Sequence, residues 1–348
     1  MALTSHRPLN LPKKEIHCHN RNSYGWEVLI SAPKTSDEDF IRIFKELGPD
    51  KTAKELGLDV RNVMRRRRRI EERHDILIES PQLAVSGAPR MYSENLYPAR
   101  VPLTIENGVQ IISSDHHCWP GIKTTAHRGL VHLSKELQPD AQTLNGDIFD
   151  GARNNRHARI GWSQKPTVQQ EMEAVAESIA EIRDACPKAK RHWNMGNHDA
   201  RFETKLSNSV QEYEGVKGFA LRDHFPEWKF GVSLWVNGLV VVKHRFKGGI
   251  HATHNNTVMA GKTMVTGHLH SLKVTPFDDY NGTRYGIDTG CLADAYGPQF
   301  NDYTEDNPRN HRSGFIVLTY HKGKLLLPEI VAVYDEDHIQ FRGKLIKV

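Results

Sequence analysis

The chain has 348 residues, a formal net charge of +5 and 38% hydrophobic residues. At roughly 150 residues per domain this length implies two domains with a sizeable core. No apolar window of about 18 residues offers a membrane span, and residues 1–20 lack the apolar centre of a secretory signal. Charge this close to balance says little about partners until it is followed along the chain.

Residues 1–36 contain Pro8, Pro12 and Pro33 without clear periodicity, and read as an arm with one short strand over 26–30. Residues 37–75 read as a helical module. Asp37 is placed to cap a helix whose Phe40, Ile41, Phe44 and Leu47 recur at helical spacing. Gly48-Pro49 ends it, a short helix follows over 50–56, Gly57 makes a turn, and a third helix starts near Asp59 or Val60. Val60, Val63, Met64 and Ile70 share one face of this third helix, while Arg61, Arg65, Arg68 and Arg69 share the other. Arg67 falls inside the apolar stripe, so it must snorkel or the stripe must stop before it. The pattern resembles a helix-turn-helix DNA-binding unit. That resemblance implies a recognition helix offering guanidinium groups to phosphates or bases, with nucleic acid as the partner; the plainer alternative is a solvated basic face.

Residues 76–108, with Pro81, Gly87, Pro89, Pro98 and Pro102, read as a linker. From 109 to 348 the pattern changes to an α/β domain. Short apolar runs at 109–113 and 141–144 read as strands, separated by a helix over 125–137. A longer helix covers 168–185, with Val168, Met172, Val175, Ile179 and Ile182 three and four apart. Further strands are expected over 191–195, 234–243, 263–266, 313–320 and 330–334. Cys18, Cys118, Cys186 and Cys291 are far apart and unpaired in spacing, which fits a reducing compartment and a cytoplasmic protein.

Five motifs sit at the ends of these runs, where open α/β sheets place ligand sites. They are Asp115-His116-His117, Gly146-Asp147-Ile148-Phe149-Asp150, Gly196-Asn197-His198-Asp199, His244, and Gly267-His268-Leu269-His270. Acids, imidazoles and an amide in this order suit two metal ions around one shared carboxylate. Asp147 is the candidate bridge. One metal takes Asp115, His117, Asp147 and His270; the other takes Asp147, Asn197, His244 and His268. Strand alternation is expected to point Asp115 and His117, and likewise His268 and His270, to one side. Mixed oxygen and imidazole ligands suit Mn best here, with Fe, Zn or Ni also suitable. His198 is not needed as a ligand and is the candidate proton donor, with Asp150 holding its ring. His116 and Cys118 are expected beside the site and not in it. The segment 288–291 is expected as a loop close by.

These motifs resemble the calcineurin-like metallophosphoesterase superfamily over about 109–335. The resemblance implies a two-sheet α/β sandwich, a dinuclear metal centre and in-line attack on phosphorus by a metal-bound hydroxide. It also implies His198 as acid and Asp150 as its partner. Lys243 stands before His244 where the family often has Gly, and His251 and His254 are rivals for the ligand role. Gly151 and Ala152 precede Arg153, which departs from the protein-phosphatase subclass. Arg153, Arg156 and His157 are candidates for touching a substrate phosphate. A basic helical module fused to such a domain resembles phage-encoded phosphoesterases, which would place the protein in a host cytoplasm. The expectation is a phosphodiesterase or nuclease acting on DNA or RNA. The alternatives are an enzyme for a small nucleotide-type substrate, and a DNA-binding regulator with a vestigial phosphoesterase domain.

Overall fold

The computed structural model describes residues 35–78, 97–155, 162, 164–304 and 307–348. The strand expected over 26–30 lies outside them. The chain divides into two compact units, Met1–Ala88 and Pro89–Val348. No helix among the described residues is long and apolar enough to cross a membrane.

In the first unit, α1 (Asp37–Glu55) is kinked at Gly48, whose φ of 74° and ψ of 175° leave the helical region. Glycine takes that conformation without a Cβ clash, and Pro49 then restarts the helix where an N–H is not needed. The cap is Ser36, whose hydroxyl accepts from Asp39 N at 3.0 Å, and not Asp37. Asp37 instead pairs with Arg66 and Arg73 of α2 (Val60–His74). Phe40, Phe44, Ala53, Val63, Ile70 and Ile78 form the core of this unit. Arg67 resolves its awkward position by lying over the Phe44 ring and placing Nε and Nη2 on Glu71 Oε1, at 3.0 and 2.9 Å. Its stem covers apolar surface while its charge is paired one turn further on.

The second unit contains, in chain order, β1 (Val101–Leu103), β2 (Gly108–Ser113), α3 (Thr125–Leu137), β3 (Ala141–Leu144), α4 (Val168–Ala185), β4 (Lys190–Asn194), α5 (Asp199–Ser209), β5 (Lys229–Gly231), β6 (Ser233–Val236), β7 (Val240–Lys243), α6 (Ala252–Ala260), β8 (Thr263–Thr266), β9 (Lys273–Asp279) and β10 (Gly282–Asp288). It closes with β11 (Gly314–His321), β12 (Lys324–Leu325), β13 (Glu329–Val333), β14 (His338–Phe341) and β15 (Lys344–Lys347). Two sheets result. One runs β1-β6-β7-β8-β10-β9; the other runs β15-β14-β13-β11-β2-β3-β4-β5, with β12 beside β11.

This is the α/β two-sheet sandwich expected from the sequence. Between the sheets lie Ile112, Ala141, Ile316 and Leu318 of one and Leu234, Val242, Val265 and Ile287 of the other. On the far face of the larger sheet, Leu130 and Leu133 of α3 and Val175, Ile179 and Ile182 of α4 cover Ile111, Leu144 and Trp193. Helix α6 covers the smaller sheet so closely that a Cβ on Gly286 would stand 2.0 Å from Thr253 O.

Two expectations change. Val101–Leu103 lies within the stretch read as linker, yet it pairs in parallel with β6 and buries Val101 and Leu103. The run 234–243 is not one strand but the hairpin β6–β7. Asn237 (φ 52°) and Gly238 (φ 64°) make the reversal, which Asn-Gly adopts readily. Because β7 runs parallel to β8, His244 is delivered to the same edge as the β8 motif.

Candidate metal centre

The five motifs meet where β2, β3 and β4 of one sheet and β7 and β8 of the other end. The backbone at this edge is unusual. Asp115, His117, Asp147, His268 and His270 have φ of 53°, 42°, 56°, 71° and 57°, the left-handed region that non-glycine residues avoid. Strand alternation therefore does not place Asp115 with His117, or His268 with His270; both pairs lie past the strand ends. Each left-handed turn costs about 1–3 kcal/mol and persists only where the surroundings fix it.

The surroundings do fix it. Asp115 N donates to Gly146 O at 2.9 Å and His117 N to Asp147 O at 3.0 Å. His268 N donates to Asp115 Oδ2 at 2.9 Å, and His198 N to Asp147 Oδ1 at 2.7 Å. Asp199, fully buried, accepts from Asp147 N, Ile148 N, Phe149 N, Gly196 N and Trp193 Nε1, all at 2.9–3.0 Å. The segment 288–291 is buried behind Asp115, where Ser114 Oγ donates to Gly290 O at 3.2 Å. Two motif glycines are dictated by close approach. A Cβ on Gly146 would lie 2.5 Å from the His244 ring, and one on Gly196 would lie 2.3 Å from Asp147 N.

The side chains form three groups whose potential ligand atoms lie within 4.8 Å of one another: Asp115, His117 and His270; Asp147, His244 and His268; and His117, Asp147 and His198. His270 Nε2 is 3.0 Å and His117 Nε2 3.9 Å from Asp115 Oδ1. His244 Nε2 is 3.0 Å from Asp147 Oδ2. Two of the groups bring together three residues each of the sets expected from the sequence, without Asp147 in the first or Asn197 in the second, and the third group links them through His117 and Asp147. Asn197 adds an Oδ1 that is buried with no hydrogen-bond partner, and His117 Nε2 is likewise unpartnered. Orphaned buried acceptors of this kind fit a cation.

Several imidazoles are held by one nitrogen and present the other, as metal-ligating histidines do. His117 Nδ1 is 2.7 Å from Asp150 Oδ1, and His244 Nδ1 is 2.7 Å from Asn145 O. His270 Nδ1 is 3.4 Å from His311 Nδ1. Asp150 also meets His198 Nδ1, at 2.9 Å through its carbonyl and 3.1 Å through Oδ1. It therefore positions two rings, where the sequence suggested one.

The field in this pocket is negative. Burial opposes protonation of His244, but Asp147 and Asp115 outweigh it and raise the imidazole to about 10. Burial likewise opposes charge on His198, and Asp147 and Asp150 raise it above its ordinary value. Without cations, imidazolium protons balance the buried carboxylates; a divalent cation would displace them.

Other candidates fall elsewhere. His251 and His254 are exposed at α6, with His254 against the Phe277 ring, so neither rivals His244. His116 is buried, with Nε2 2.8 Å from Ser113 Oγ. Burial pushes the Cys118 thiol up to about 12, which leaves it no thiolate to offer. Arg153 donates through Nε and Nη2 to Lys165 O. Arg156 and His157 lie outside the described residues. Sequence reading missed Gln299 and Phe300. Gln299 Nε2 donates to His117 O at 3.0 Å, and the Phe300 ring lies 5.0 Å from that of His117 and 5.1 Å from that of His270. They belong to no motif and follow no period, so nothing in the sequence marked them.

Fold and site together define a two-sheet α/β protein with a His/Asp/Asn cluster suited to a pair of divalent cations. No family model matches the chain. Over 101 residues it is 27% identical to the small ribosomal subunit protein eS8 of Griffithsia japonica, covering 29% of this chain and 48% of that protein. The chain thus spans about half the length of that curated relative. Similar solved structures include the phosphoesterase YfcE of E. coli (TM-score 0.31, 10% identity, 63% of this chain and 97% of that one). A protein serine/threonine phosphatase of Saccharomyces cerevisiae is another (TM-score 0.35, 11% identity, 69% and 85%). A third is a dimetal phosphatase of Danio rerio (TM-score 0.33, 11% identity, 64% and 94%). Likeness at this level does not transfer function, and the functional reading rests on the side chains themselves.

Proposed function

We propose that the protein is a metal-dependent phosphoric ester hydrolase that uses two divalent cations and cleaves phosphodiesters of DNA or RNA. The observation that carries the reading is Asp147, a buried carboxylate grouped with His244 and His268 on one side and with His117 on the other, where His117 also belongs to the group of Asp115 and His270. Asp115, His117 and His270 would hold one cation, His244, His268 and Asn197 the other, with Asp147 between. Oxygen and imidazole donors support Mn, Fe, Zn or Ni. Bound there, the pair supplies activated water and neutralises charge on phosphoryl oxygens. The free and buried thiols of Cys118, Cys186 and Cys291 support a reducing, cytoplasmic setting.

The chain's own contribution centres on His198. Its Nδ1 is fixed by Asp150, and its Nε2 stands 4.0 Å from Asp147 Oδ2, at the edge of the cluster. That is where a proton can be handed to a departing alkoxide. His198→Ala is expected to keep both metals yet lose about 10²–10⁴-fold in turnover on esters of poor leaving groups. Loss on activated aryl phosphodiesters is expected to be much smaller. Parallel steady-state kinetics on both ester types checks this, and equal losses would count against the role.

Nucleic acid is supported by α2. Arg61, Arg65, Arg68 and Arg69 are all exposed, while Val63 and Ile70 are buried. Replacing the four arginines by Ala is expected to weaken DNA binding and to reduce its salt slope by about 0.9 for each phosphate no longer neutralised. Fluorescence anisotropy across a salt series measures both. The decisive assay for the whole reading compares Mn-reconstituted protein on bis-p-nitrophenyl phosphate, p-nitrophenyl phosphate, single- and double-stranded DNA, and RNA. Turnover of the small esters with both polymers left intact would replace the nucleic-acid substrate by a small nucleotide-type one.

A further inference from the structure

A cavity of about 390 Å³ lies between the loop that follows β2 and the helices α3 and α4. Its volume falls in the range of small-molecule sites. It shares His117 with the metal centre, and Gln299, which also lines it, donates through Nε2 to His117 O at 3.0 Å. Trp119, Ile122, Ala174 and Leu292 give it apolar walls. The Trp119 ring is held in place: Lys165 Nζ stands 5.9 Å from its centroid and is itself fixed by Asp302 at 2.8 Å, with both side chains buried. Most polar groups of the lining are already engaged. Thr124 Oγ1 accepts from His127 N at 3.1 Å and donates to Leu292 O at 2.6 Å. His127 Nε2 is 2.8 Å from Glu181 Oε2, and its Nδ1 is 3.2 Å from Ser178 Oγ. His116 and Gln299 differ. Each is 5% exposed, and His116 Nδ1 and Gln299 Oε1 have no hydrogen-bond partner among the described residues. Unpaired polar atoms on buried residues that line a cavity call for a ligand that satisfies them. Gln299 Oε1 can only accept. His116 Nδ1 donates or accepts, according to whether the Ser113 hydroxyl, 2.8 Å from Nε2, gives or takes the proton.

We infer that this cavity is a nucleobase subsite, which seats the base of a nucleotide whose phosphate lies at the cations; the inference rests on the phosphoesterase reading above. A base supplies what the cavity lacks. It brings a planar face for Trp119, and an edge of N–H donors and ring acceptors for Gln299 and His116. Charge also favours the neutral part of a nucleotide. Lys123 at the rim is paired with Glu181, and the exposed Glu177 adds a second carboxylate, so the lining offers an anion no unpaired cation. The phosphate is thus left to the metal centre, and because His117 belongs to both places, one nucleotide can span them. A base enters such a cavity only when it is out of the stack, so single strands and mononucleotides fit and an intact duplex does not.

The test titrates adenosine, cytidine, guanosine and uridine into Mn²⁺-loaded wild type, Trp119→Leu, Trp119→Phe and Ala174→Trp by calorimetry, with urea midpoints as the check on folding. For Trp119→Leu we expect the best-bound nucleoside to lose about 5- to 150-fold in affinity, the loss of one base–aromatic stack. Trp119→Phe should recover part of it. Ala174→Trp fills the cavity from α4 and should abolish binding; it decides the matter alone if Trp119→Leu does not fold. The 5′-monophosphate of that nucleoside should bind wild type more tightly than either the nucleoside or inorganic phosphate, because both ends are held at once. Nucleoside affinity unchanged in the folded variants overturns the inference. So does a monophosphate that binds no better than its nucleoside, which would put the cavity out of reach of the cations. Wild type that hydrolyses bis-p-nitrophenyl phosphate but binds no nucleoside overturns it too, and leaves the phosphoesterase reading standing. Wild type that holds Mn²⁺ and hydrolyses no ester sinks that reading, and the subsite with it.

Discussion

Asp147→Asn is expected to fold like the wild type, to hold at most one Mn²⁺ per chain, and to lose on the order of 10²–10³-fold or more in turnover on every substrate. The substitution keeps shape and volume, so the packing around β3 is undisturbed. What changes is charge and donor pattern. One oxygen of Asp147 accepts His198 N at 2.7 Å, and the other faces His244 Nε2 at 3.0 Å. An amide can keep the first of these only by turning its NH₂ toward the ring nitrogen, where a shared anion is required. The His244 and His268 group then loses its only carboxylate. Elemental analysis and steady-state kinetics read the result; two bound Mn²⁺ with full turnover would remove Asp147 from the bridging position.

The same carboxylate sets a pH dependence. His244 is raised to about 10 in the absence of cations, chiefly by Asp147 and Asp115 acting against burial. A ligand imidazole must be neutral, so cation uptake releases that proton. Below about 10 the protonated form dominates the free protein, and one released proton means that apparent affinity rises by about tenfold per pH unit. In Asp147→Asn the neighbour that holds the proton is gone, and the slope for any remaining uptake should flatten.

How far the sequence foretold this molecule can be judged from particular stretches. Helices α3 and α4 are legible because one apolar face repeats every three or four residues against one sheet. The motif strands β2, β3, β4 and β8 are legible because a glycine or acid follows each within three residues, whereas β7 runs directly into His244. The hairpin β6–β7 was read as one strand because both arms are apolar and buried; the Asn237-Gly238 signal between them carries the reversal. Strand logic also gave a wrong reason for a real juxtaposition. Asp115 and His117 face one cluster through left-handed turns, which no propensity favours and which the hydrogen bonds of their N–H groups to Gly146 O and Asp147 O explain. Gln299, Phe300 and His311 were out of reach, since their proximity to the site depends on chain folding over long separations. Asp199 stood in plain view in its motif, but its five donors come from two segments, 147–149 and 193–196, and a residue count cannot reveal them.

That residue supports the second large prediction. Asp199→Ala is expected to destabilise the Pro89–Val348 unit by at least about 4 kcal/mol, in the exceptional range for a single substitution. The carboxylate is completely buried and is the acceptor for Asp147 N, Ile148 N, Phe149 N, Gly196 N and Trp193 Nε1. Each donor left unpaired in the interior costs about 1–3 kcal/mol, reduced wherever water or a shifted loop replaces the missing acceptor. Ile148, Phe149 and Trp193 belong to the main core, so the damage reaches beyond the site. Metal is lost as a consequence, because the β3 and β4 loops are no longer held together. Asparagine should not rescue this. Its oxygen serves either the pair of donors from Ile148 and Phe149 or the three from Asp147, Gly196 and Trp193, and its NH₂ confronts the others. Urea midpoints and Mn²⁺ content therefore fall together in Asp199→Ala, whereas in Asp147→Asn only the metal is lost. If Asp199→Ala kept its midpoint while losing Mn²⁺, Asp199 would be acting on the cations and not on the backbone, and the division of labour between these two acids would have to be redrawn.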